Sequence, residues 1–234
     1  MTGKYIRRKI KKLKKWITER PYYIRRYFDR KLIRRRDFTI ISNNCWAGRC
    51  YQYLDMPYLS PTVGLYFFAE DYLRFVSDLR YYLSLELEFI SWEQSKYRET
   101  LRERRHTEVP IAMIGDVEIV FLHYKTEAEA REKWERRKKR VNYDDVILKF
   151  SKMNLCTEEH LKKFDALQYK NKFMINNSPK KKYGCEVYWA EKTGTEELSA
   201  DTNPFPGKIP FTVLLNKKAE NYPKTGLINN QECI

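Results

Sequence analysis

The 234-residue sequence has only three histidines and five cysteines. Five is an odd number, and the spacing is not that of a small disulfide-stapled domain, so free thiols are expected. Cys45 and Cys50 have no matching second pair, so no structural zinc site is expected, and the sequence does not indicate a cofactor. No segment approaches the roughly 20 apolar residues that span a bilayer. The N-terminus lacks the apolar stretch of a signal peptide, so a cytoplasmic location is expected.

Acidic residues are scarce at the N-terminal end of the chain. Residues 1–36 hold 16 Lys and Arg against Glu19 and Asp29, a net charge of +14, whereas the whole chain carries +15. The rest of the chain is therefore nearly neutral. The sequence thus divides into a basic arm, residues 1–36, and a domain, residues 37–234, and the high overall charge says little about the ligand of the domain.

The arm carries apolar residues at helical spacing, from Ile6 to Ile17 and again from Ile24 to Leu32, with Pro21 between the two runs. This pattern predicts a basic amphipathic helical arm, which suits an anionic membrane surface at the inner leaflet. A nucleic-acid-binding arm and a solvated tail are the alternatives, but phosphate contacts alone would not require an apolar stripe. The residues expected to bind the membrane are Lys12, Lys15, Trp16, Arg25 and Arg26.

A β-branched apolar run from Phe38 to Ser42 ends in a polar turn that carries Cys45. The aromatic-rich segment that follows, up to Leu54, predicts a helix. In open α/β sheets ligands bind at the carboxyl ends of strands, beside helix N-termini, so this turn is the best candidate for a ligand site. A cysteine at a helix start is expected to have a lowered pKa. Three roles stay open for Cys45: nucleophile, wall of a ligand site, or buried packing.

The segment Val117 to Tyr124 is the most strand-like in the chain and is apolar on both faces. This predicts a central strand of the sheet. It would end with His123 and Tyr124 at the same carboxyl edge as the turn around Cys45. A lone histidine at a strand end is more often structural than functional, and both roles stay open for His123.

Helical spacing predicts an amphipathic helix from Ala69 to about Leu83. Thr126 opens a capping box for another helix, to about Arg140, and residues 136–140 at its end are basic. This basic end is either a solvated, well-capped terminus or a phosphate site. The remaining predicted elements are strands at 146–150, 173–175 and 186–190 and a helix from Thr157 to Leu167.

Five short motifs follow one another along the chain: Ser42 to Gly48, Ser60 to Leu65, Gly115 to Ile119, Leu122 to Tyr124, and Ala130 to Arg137. Together they resemble a bacterial family of exopolysaccharide biosynthesis proteins, built on a domain of unknown function. The resemblance covers residues 38–177, with a departure at Ala47, where the family has glycine. It implies a role in capsular or exopolysaccharide assembly beside glycosyltransferases, without naming a reaction. Thr62, Gly64 and Asp116 become candidate site residues mainly through this resemblance.

The order of the elements predicts an α/β domain with a mostly parallel sheet flanked by helices. The strands that would share one polar edge end at Ser42, Tyr124, Ser151 and Asn176. We expect a transferase, glycosyl or acyl, acting on a sugar nucleotide or a lipid-linked glycan, with His123 as general base and Cys45 as nucleophile or wall. The expected substrate-binding residues are Asn43, Asn44, Trp46, Gly48, Arg49, Thr62, Gly64, Asp116 and Tyr124.

Two other functional classes stay open. A non-catalytic adaptor could hold glycan-assembly enzymes at the membrane, and it would need no reactive His or Cys. A nucleic-acid-binding protein is disfavoured, because the domain is nearly neutral and carries no recognised nucleic-acid-binding motif. The sequence has no Asp-x-Asp pair of the kind that many metal-dependent glycosyltransferases use, and Asp144-Asp145 is the nearest approach to one.

Overall fold

Two β-sheets of different type form the framework of this computed structural model, which describes residues 22–178, 180, 182–188, 197, 198, 201 and 211–216. The first sheet is parallel, with the strand order β1-β5-β6-β7. The second is antiparallel, with the order β2-β3-β4. The strands are β1 (Thr39–Ser42), β2 (Glu88–Ile90), β3 (Ile111–Ile114), β4 (Val117–Val120), β5 (Val146–Ser151), β6 (Lys172–Asn176) and β7 (Glu186–Tyr188).

Helices pack on both sheets, and on the parallel sheet they cover both faces. They are α1 (22–32), α2 (Trp46–Leu54), α3 (Ala69–Ser77), α4 (Leu79–Ser84), α5 (Arg98–Glu103), α6 (Glu127–Lys138), α7 (Glu158–Ala166) and α8 (Phe211–Asn216), with a 3-10 turn at Trp92–Gln94. The predicted α/β class, with a mostly parallel sheet flanked by helices, is confirmed. Within the residues that the structure describes, no helix is long and apolar enough to cross a membrane.

The strands of the parallel sheet are apolar on both faces because each face has its own core. Ile40, Ile147 and Phe173 lie in a cluster with residues of α2. Leu148 and Phe150, alternate residues of β5, lie in a second cluster with residues of α3, α6 and α7. Successive side chains of a strand point to opposite faces, so burial on both faces requires a continuous apolar run.

The segment Val117 to Tyr124 is not a central strand of the parallel sheet, and that prediction is wrong. β4 ends at Val120 and pairs with β3 in an antiparallel hairpin, with Ile114 opposite Val117. Gly115, at a φ of +61°, lies in the turn, in a conformation that glycine adopts at little cost. All four residues of β4 are buried, so both faces of the strand are covered, as they are in a central strand of a parallel sheet.

The helix predicted from Ala69 to about Leu83 is broken into α3 and α4. Asp78 lies at the break, with a φ of −142°, and its side chain accepts a hydrogen bond from Tyr81 N at 3.1 Å. Asp is a favoured N-cap residue, so a new helix begins where the apolar spacing alone would continue the old one.

The described part of the basic arm packs against the domain. Ile33 is buried in the same apolar cluster as α2. Asn216 of α8 also holds the arm, because its side chain donates to Leu32 O at 2.8 Å and accepts from Arg34 N at 2.9 Å.

The predicted membrane-binding residues differ in their surroundings. Lys12, Lys15 and Trp16 lie outside the described part of the chain. Arg25 is exposed on α1, whereas Arg26 is half-buried and donates to a backbone carbonyl near the end of α2. The membrane role of these five residues stays a prediction.

Candidate active site at the carboxyl edge of the parallel sheet

The turn after β1 caps the start of α2 with its own side chains. Ser42 Oγ donates to Asn44 O at 2.7 Å and accepts from Ala47 N at 3.2 Å. Asn44 Oδ1 accepts from Trp46 N at 3.1 Å. The first backbone N–H groups of a helix have no partner within the helix, so these short polar residues satisfy them and fix the place where α2 begins.

Asn43 joins the carboxyl ends of β1 and β5. Its Nδ2 donates to Ser151 O at 3.0 Å, and its Oδ1 accepts from Ser151 N, also at 3.0 Å. Both residues are buried. Both polar atoms of the Asn43 side chain are therefore bound to the backbone of Ser151. Asn43 holds the ends of β1 and β5 together and has a structural role in the site.

A buried ion pair lies beside the start of α2. Lys149 projects from β5, and its Nζ donates to a carboxylate oxygen of Asp201, with neither side chain exposed. Lys149 Nζ also donates to Asn44 Oδ1 at 3.0 Å. The Asp201 carboxylate further accepts from Asn44 Nδ2 at 2.5 Å and from Ser151 Oγ. We refer to these four residues, Asn44, Lys149, Ser151 and Asp201, as the polar cluster.

Burial shifts the protonation equilibrium of the lysine in the polar cluster. Removal from water lowers the pKa of the Lys149 ammonium, and the Asp201 carboxylate opposes that shift. A positive charge next to a helix N-terminus is unfavourable, because the macrodipole is positive there. An anionic group is therefore needed at this position, and Asp201 supplies one.

Cys45 lies beside the polar cluster and is partly exposed. Its thiol donates a weak hydrogen bond to Leu65 O at 3.8 Å. Burial raises the pKa of the thiol to about 11, although Arg49 and Lys149 act in the opposite direction. The lowered pKa expected from its place at a helix start is therefore wrong, because desolvation of the thiolate outweighs the nearby cations.

The loop from Ser60 to Gly64 crosses the end of β1 and contacts α2. Thr62 is buried, and its Oγ1 accepts from Ser42 N at 3.2 Å. The backbone of Gly48 lies so close to the loop that a Cβ there would be 2.9 Å from Val63 Cγ1. Glycine in the first turn of α2 therefore allows this close approach.

The same loop brings the segment after β4 to this edge. His123 N donates to Gly64 O at 2.9 Å, and Tyr124 OH donates to Val63 O at 2.5 Å. Arg137 of α6 is buried and donates to Val63 O at 3.1 Å and to Tyr124 OH at 2.5 Å. The basic end of α6 is thus not wholly a solvated terminus, since Arg137 fixes the loop in place.

With this geometry in place, comparison with known proteins identifies the family. A family described as "Domain of unknown function (DUF1919)" matches residues 18–203. The chain belongs to this family. The matched range begins before α1 and ends just after Asp201, so it includes every residue of the polar cluster.

One relative of this DUF1919 chain is a Haemophilus influenzae protein with the name "Uncharacterized protein". It is 32% identical over 169 residues, which cover 72% of this chain and 75% of the relative. Neither name carries an activity. The part of the resemblance that concerns exopolysaccharide synthesis is therefore a proposal.

The DUF1919 fold brings most of the predicted site residues together. Asn44 belongs to the polar cluster, Asn43 binds the backbone of Ser151, the backbone of Trp46 binds Asn44, and Cys45 follows Asn44 in the same turn. Thr62 and Gly48 contact this turn or its loop, and the loop in turn holds Gly64, His123 and Tyr124. Arg49 is exposed on the first turn of α2, and His123 is exposed after β4. The structure describes both Cys45 and His123, and no hydrogen bond joins the thiol to the imidazole, so they do not form an assembled nucleophile–base pair here.

The side chains of two predicted site residues have other surroundings. Trp46 is fully buried and packs edge-on against Phe173, with ring centroids 5.4 Å apart, so its ring is part of the core and offers no face for a sugar. Asp116 lies in the turn between β3 and β4, where its carboxylate accepts from Arg74 at 2.7 Å and from Tyr82 OH at 2.8 Å. It holds the hairpin to α3 and α4 and is not part of the polar cluster.

Sequence reasoning missed Lys149 and Asp201. It named Ser151 only as a strand end and Arg137 only within the basic residues 136–140, and it selected neither as a site residue. A signal for Lys149 is present, because it is the single charged residue of β5 and has apolar residues on both sides of it in the strand. A lysine is almost never fully buried unless it is paired, so its position in that strand implies a buried anion. No comparable signal marks Asp201, because it is distant in sequence from Lys149 and is not part of a helical or strand pattern of apolar residues.

A second buried charged group, also missed, lies between α3 and the antiparallel sheet. Asp71 and Glu118 are 0% and 1% exposed. Lys96 Nζ donates to Asp71 Oδ1 at 2.5 Å, and Ser95 Oγ donates to Glu118. Burial raises the pKa of both carboxyl groups, and the charge of Asp71 raises that of Glu118 further. We refer to Asp71 and Glu118 as the carboxylate pair.

Proposed function

We propose that this DUF1919 chain is a transferase in the assembly of a cell-surface polysaccharide, exopolysaccharide or capsule. It acts at the cytoplasmic face of the membrane on a sugar nucleotide or a lipid-linked glycan. The resemblance described from the sequence supports the pathway, and the polar cluster supports the presence of a site.

The observation that carries the proposal is the buried Lys149–Asp201 pair at the carboxyl edge of the parallel sheet. Ligands of open α/β sheets bind at this edge, and helix N-termini there attract phosphate groups. The start of α2 and the exposed Arg49 in its first turn present positive charge at this edge, whereas the charge of Lys149 is balanced by Asp201. The phosphates of an activated sugar donor have the matching charge.

The roles of the other residues follow from their exposure. His123 is exposed beside Gly64 and is the candidate general base. Cys45 is a wall of the site, because a thiol with a pKa of about 11 is almost entirely protonated at neutral pH and is a weak nucleophile. A single-displacement transfer without a covalent enzyme intermediate fits these two properties better than a covalent one.

The test is a thermal-shift panel on the full chain with nucleotide sugars, acyl-CoA donors and short glycans. A ligand at about 100 times its dissociation constant adds roughly 2.7 kcal/mol to the free energy of unfolding. The shift from one donor class should be lost in His123→Ala and in Asn44→Ala, each compared with its own ligand-free melting temperature. Lys162→Ala, a substitution of an exposed residue on α7, should keep the shift. A folded protein that responds to no donor would contradict the transferase.

The adaptor is the second candidate, and the surface of α1 favours it. Tyr27 and Phe28 are 60% and 58% exposed next to one another, and neighbouring exposed apolar side chains of this size mark a binding surface. An adaptor would retain membrane and protein binding in His123→Ala and would show no donor-dependent shift at all.

A further inference from the structure

Within the residues that the structure describes, most of the exposed large hydrophobic side chains lie on one helix. Eight large hydrophobic side chains are exposed in the described part of the chain, and six of them lie on α1. They are Tyr22, Tyr23, Ile24, Tyr27, Phe28 and Leu32, with exposures between 41% and 60%. We call these six residues the α1 face. Scattered apolar residues need no explanation, but a contiguous apolar helix face marks a binding surface.

The opposite side of α1 is polar and is anchored to the last turn of α2. Arg26 donates to Tyr53 O at 2.8 Å and to Gln52 O at 2.9 Å. Arg30 donates to Tyr53 O at 3.0 Å, and Tyr53 OH donates to Asp29 at 2.6 Å. The last carbonyls of a helix lack partners within it, and cations are favoured there. The charged side of α1 therefore faces the protein. The apolar side faces outward, except that Tyr22 packs edge-on against Tyr53, with ring centroids 5.6 Å apart.

This anchoring places α1 at the amino edge of the parallel sheet. α2 begins after the carboxyl end of β1 and runs back along the sheet, so that Tyr51 OH accepts from Ile40 N at 2.9 Å near the start of β1. Arg36 Nη1 donates to Leu54 O at 3.0 Å at the end of α2. A helix rises about 1.5 Å per residue, so the nine residues of α2 place its C-terminal end, where α1 is bound, about 13 Å from the polar cluster at its start.

Charge decides between the possible partners of the α1 face. Arg25, Lys31 and Arg34 are exposed around it, and residues 1–36 carry 16 Lys and Arg against two acids. A second copy of the chain would bring two strongly positive segments together, which is unfavourable. An anionic lipid surface matches both properties, because aromatic side chains settle at the headgroup level and each nearby Lys or Arg contributes about 1 kcal/mol.

We infer that the α1 face lies on an anionic membrane with the amino edge of the sheet towards the lipid, so that the candidate site at the opposite edge opens to water and takes a soluble donor. The donor class is a nucleotide-activated sugar, which diffuses to the site, and not a glycan whose diphosphate is held at the headgroups. The choice of donor rests on the function proposed above, whereas the orientation does not.

The orientation is tested by hydrogen exchange of the full chain with and without vesicles of phosphatidylcholine and phosphatidylglycerol. Amides of α1 should be protected on the vesicles, while amides of 122–126, around the exposed His123, should exchange as they do in solution. Protection of 122–126, or none in α1, would overturn the orientation. Vesicles of phosphatidylcholine alone should protect α1 much less.

A matched pair of variants tests the surface itself. Phe28→Glu should lower partitioning onto the same vesicles by about tenfold or more, because an aromatic ring that inserts into the membrane is replaced by a negative charge that anionic lipids repel. Tyr81→Glu introduces the same charge at a side chain of similar exposure, 53% against 58%, on α4 and should leave partitioning nearly unchanged. Equal losses in both variants would contradict a specific role for the α1 face.

The donor class is tested separately. Titration with nucleotide sugars should give the same affinity for free and vesicle-bound protein, and a lipid-linked glycan placed in the vesicles should not change exchange at 122–126. Binding of neither nucleotide sugars nor the lipid-linked glycan, with α1 protected, would contradict the transferase and leave the orientation intact. Binding of the lipid-linked glycan at 122–126 would keep the transferase and overturn the soluble donor.

Discussion

Lys149 on β5 and Asp201, distant in sequence, form an ion pair in which neither side chain reaches solvent. Taking two charges out of water is costly, and their attraction offsets that cost only when further hydrogen bonds complete the site. Asn44 and Ser151 supply those bonds. The pair thereby joins the segment around Asp201 to the end of β5 and to the turn that precedes α2.

Removing one partner of this pair should destabilise the protein strongly. Lys149→Met leaves an unpaired buried carboxylate, and Asp201→Leu leaves an unpaired buried ammonium, so each should lower the free energy of unfolding by about 3–5 kcal/mol. The double variant should recover much of the loss, because two apolar side chains replace the pair without leaving a charge. Urea unfolding monitored by circular dichroism measures all three. A double variant less stable than both single variants would contradict this account.

The thiol of Cys45 should react slowly at neutral pH. A pKa of about 11 against the ordinary 9.0 leaves about a hundredfold less thiolate at pH 7, and thiolate is the reacting form. Alkylation by iodoacetamide, followed at the Cys45 peptide by mass spectrometry, should accelerate about tenfold per pH unit up to about pH 10. The same cysteine in urea-denatured protein is the control and should react at the ordinary rate. Rapid alkylation of native Cys45 at pH 7 would contradict its assignment as a wall of the site and would favour a role as nucleophile.

The parts of this fold that depend on local pattern could be predicted from the sequence. The apolar runs of β1, β5 and β6 and the capping residue Thr126 are local signals, and each marks an element that forms. The hairpin of β3 and β4 cannot be told from a central strand by its apolar residues, because burial on both faces gives the same pattern in either type of sheet. The turn residue Gly115 is the signal that favours a hairpin.

The candidate site could be predicted only in part, because some of its residues follow from local pattern and others depend on contacts between distant segments. Asn43 and Asn44 stand in a polar turn between an apolar run and a helix, so their place at a strand end follows from sequence order. Lys149 could have been inferred from its strand, but its partner Asp201 could not, because a pairing across so many residues depends on how the chain returns to the sheet. The position of Trp46 at the start of a helix follows from the sequence, but its burial depends on the neighbouring strand β6.

The close contact of Gly48 with Val63 should respond to paired substitution. Gly48→Ala places a methyl group 2.9 Å from Val63 Cγ1, closer than carbon atoms tolerate, so α2 or the loop must shift. We expect a loss of about 1–3 kcal/mol in the free energy of unfolding, despite the higher helix propensity of alanine. Adding Val63→Ala should make the Gly48→Ala change far less costly than it is with valine present. A double-mutant cycle by urea unfolding measures this coupling, and strict additivity would show that the contact carries no strain.

The carboxylate pair should make stability depend on pH in a specific direction. Burial raises the pKa of Asp71 above its ordinary 3.8, so the folded protein holds this proton to higher pH than the unfolded chain. The wild type therefore loses stability as pH rises from about 4 through the raised pKa, since the native state binds more protons in that window. Asp71→Asn lacks this titration, so its free energy of unfolding minus that of the wild type should increase from about pH 4 to pH 7.

The matched control for this prediction is Asp116→Asn. Tyr82 and Arg74 lower the pKa of Asp116, so its contribution in the wild type is present above its ordinary pKa and is lost as pH falls through the lowered value. The difference for Asp116→Asn, variant minus wild type, should therefore change in the opposite direction, below about pH 4, and be small, because the carboxylate is exposed. Urea unfolding of both variants from about pH 3 to pH 7 separates the two signs. An Asp71→Asn difference that falls as pH rises would mean that Lys96 keeps the buried carboxylate ionised in the folded protein, and that pairing rather than burial governs it.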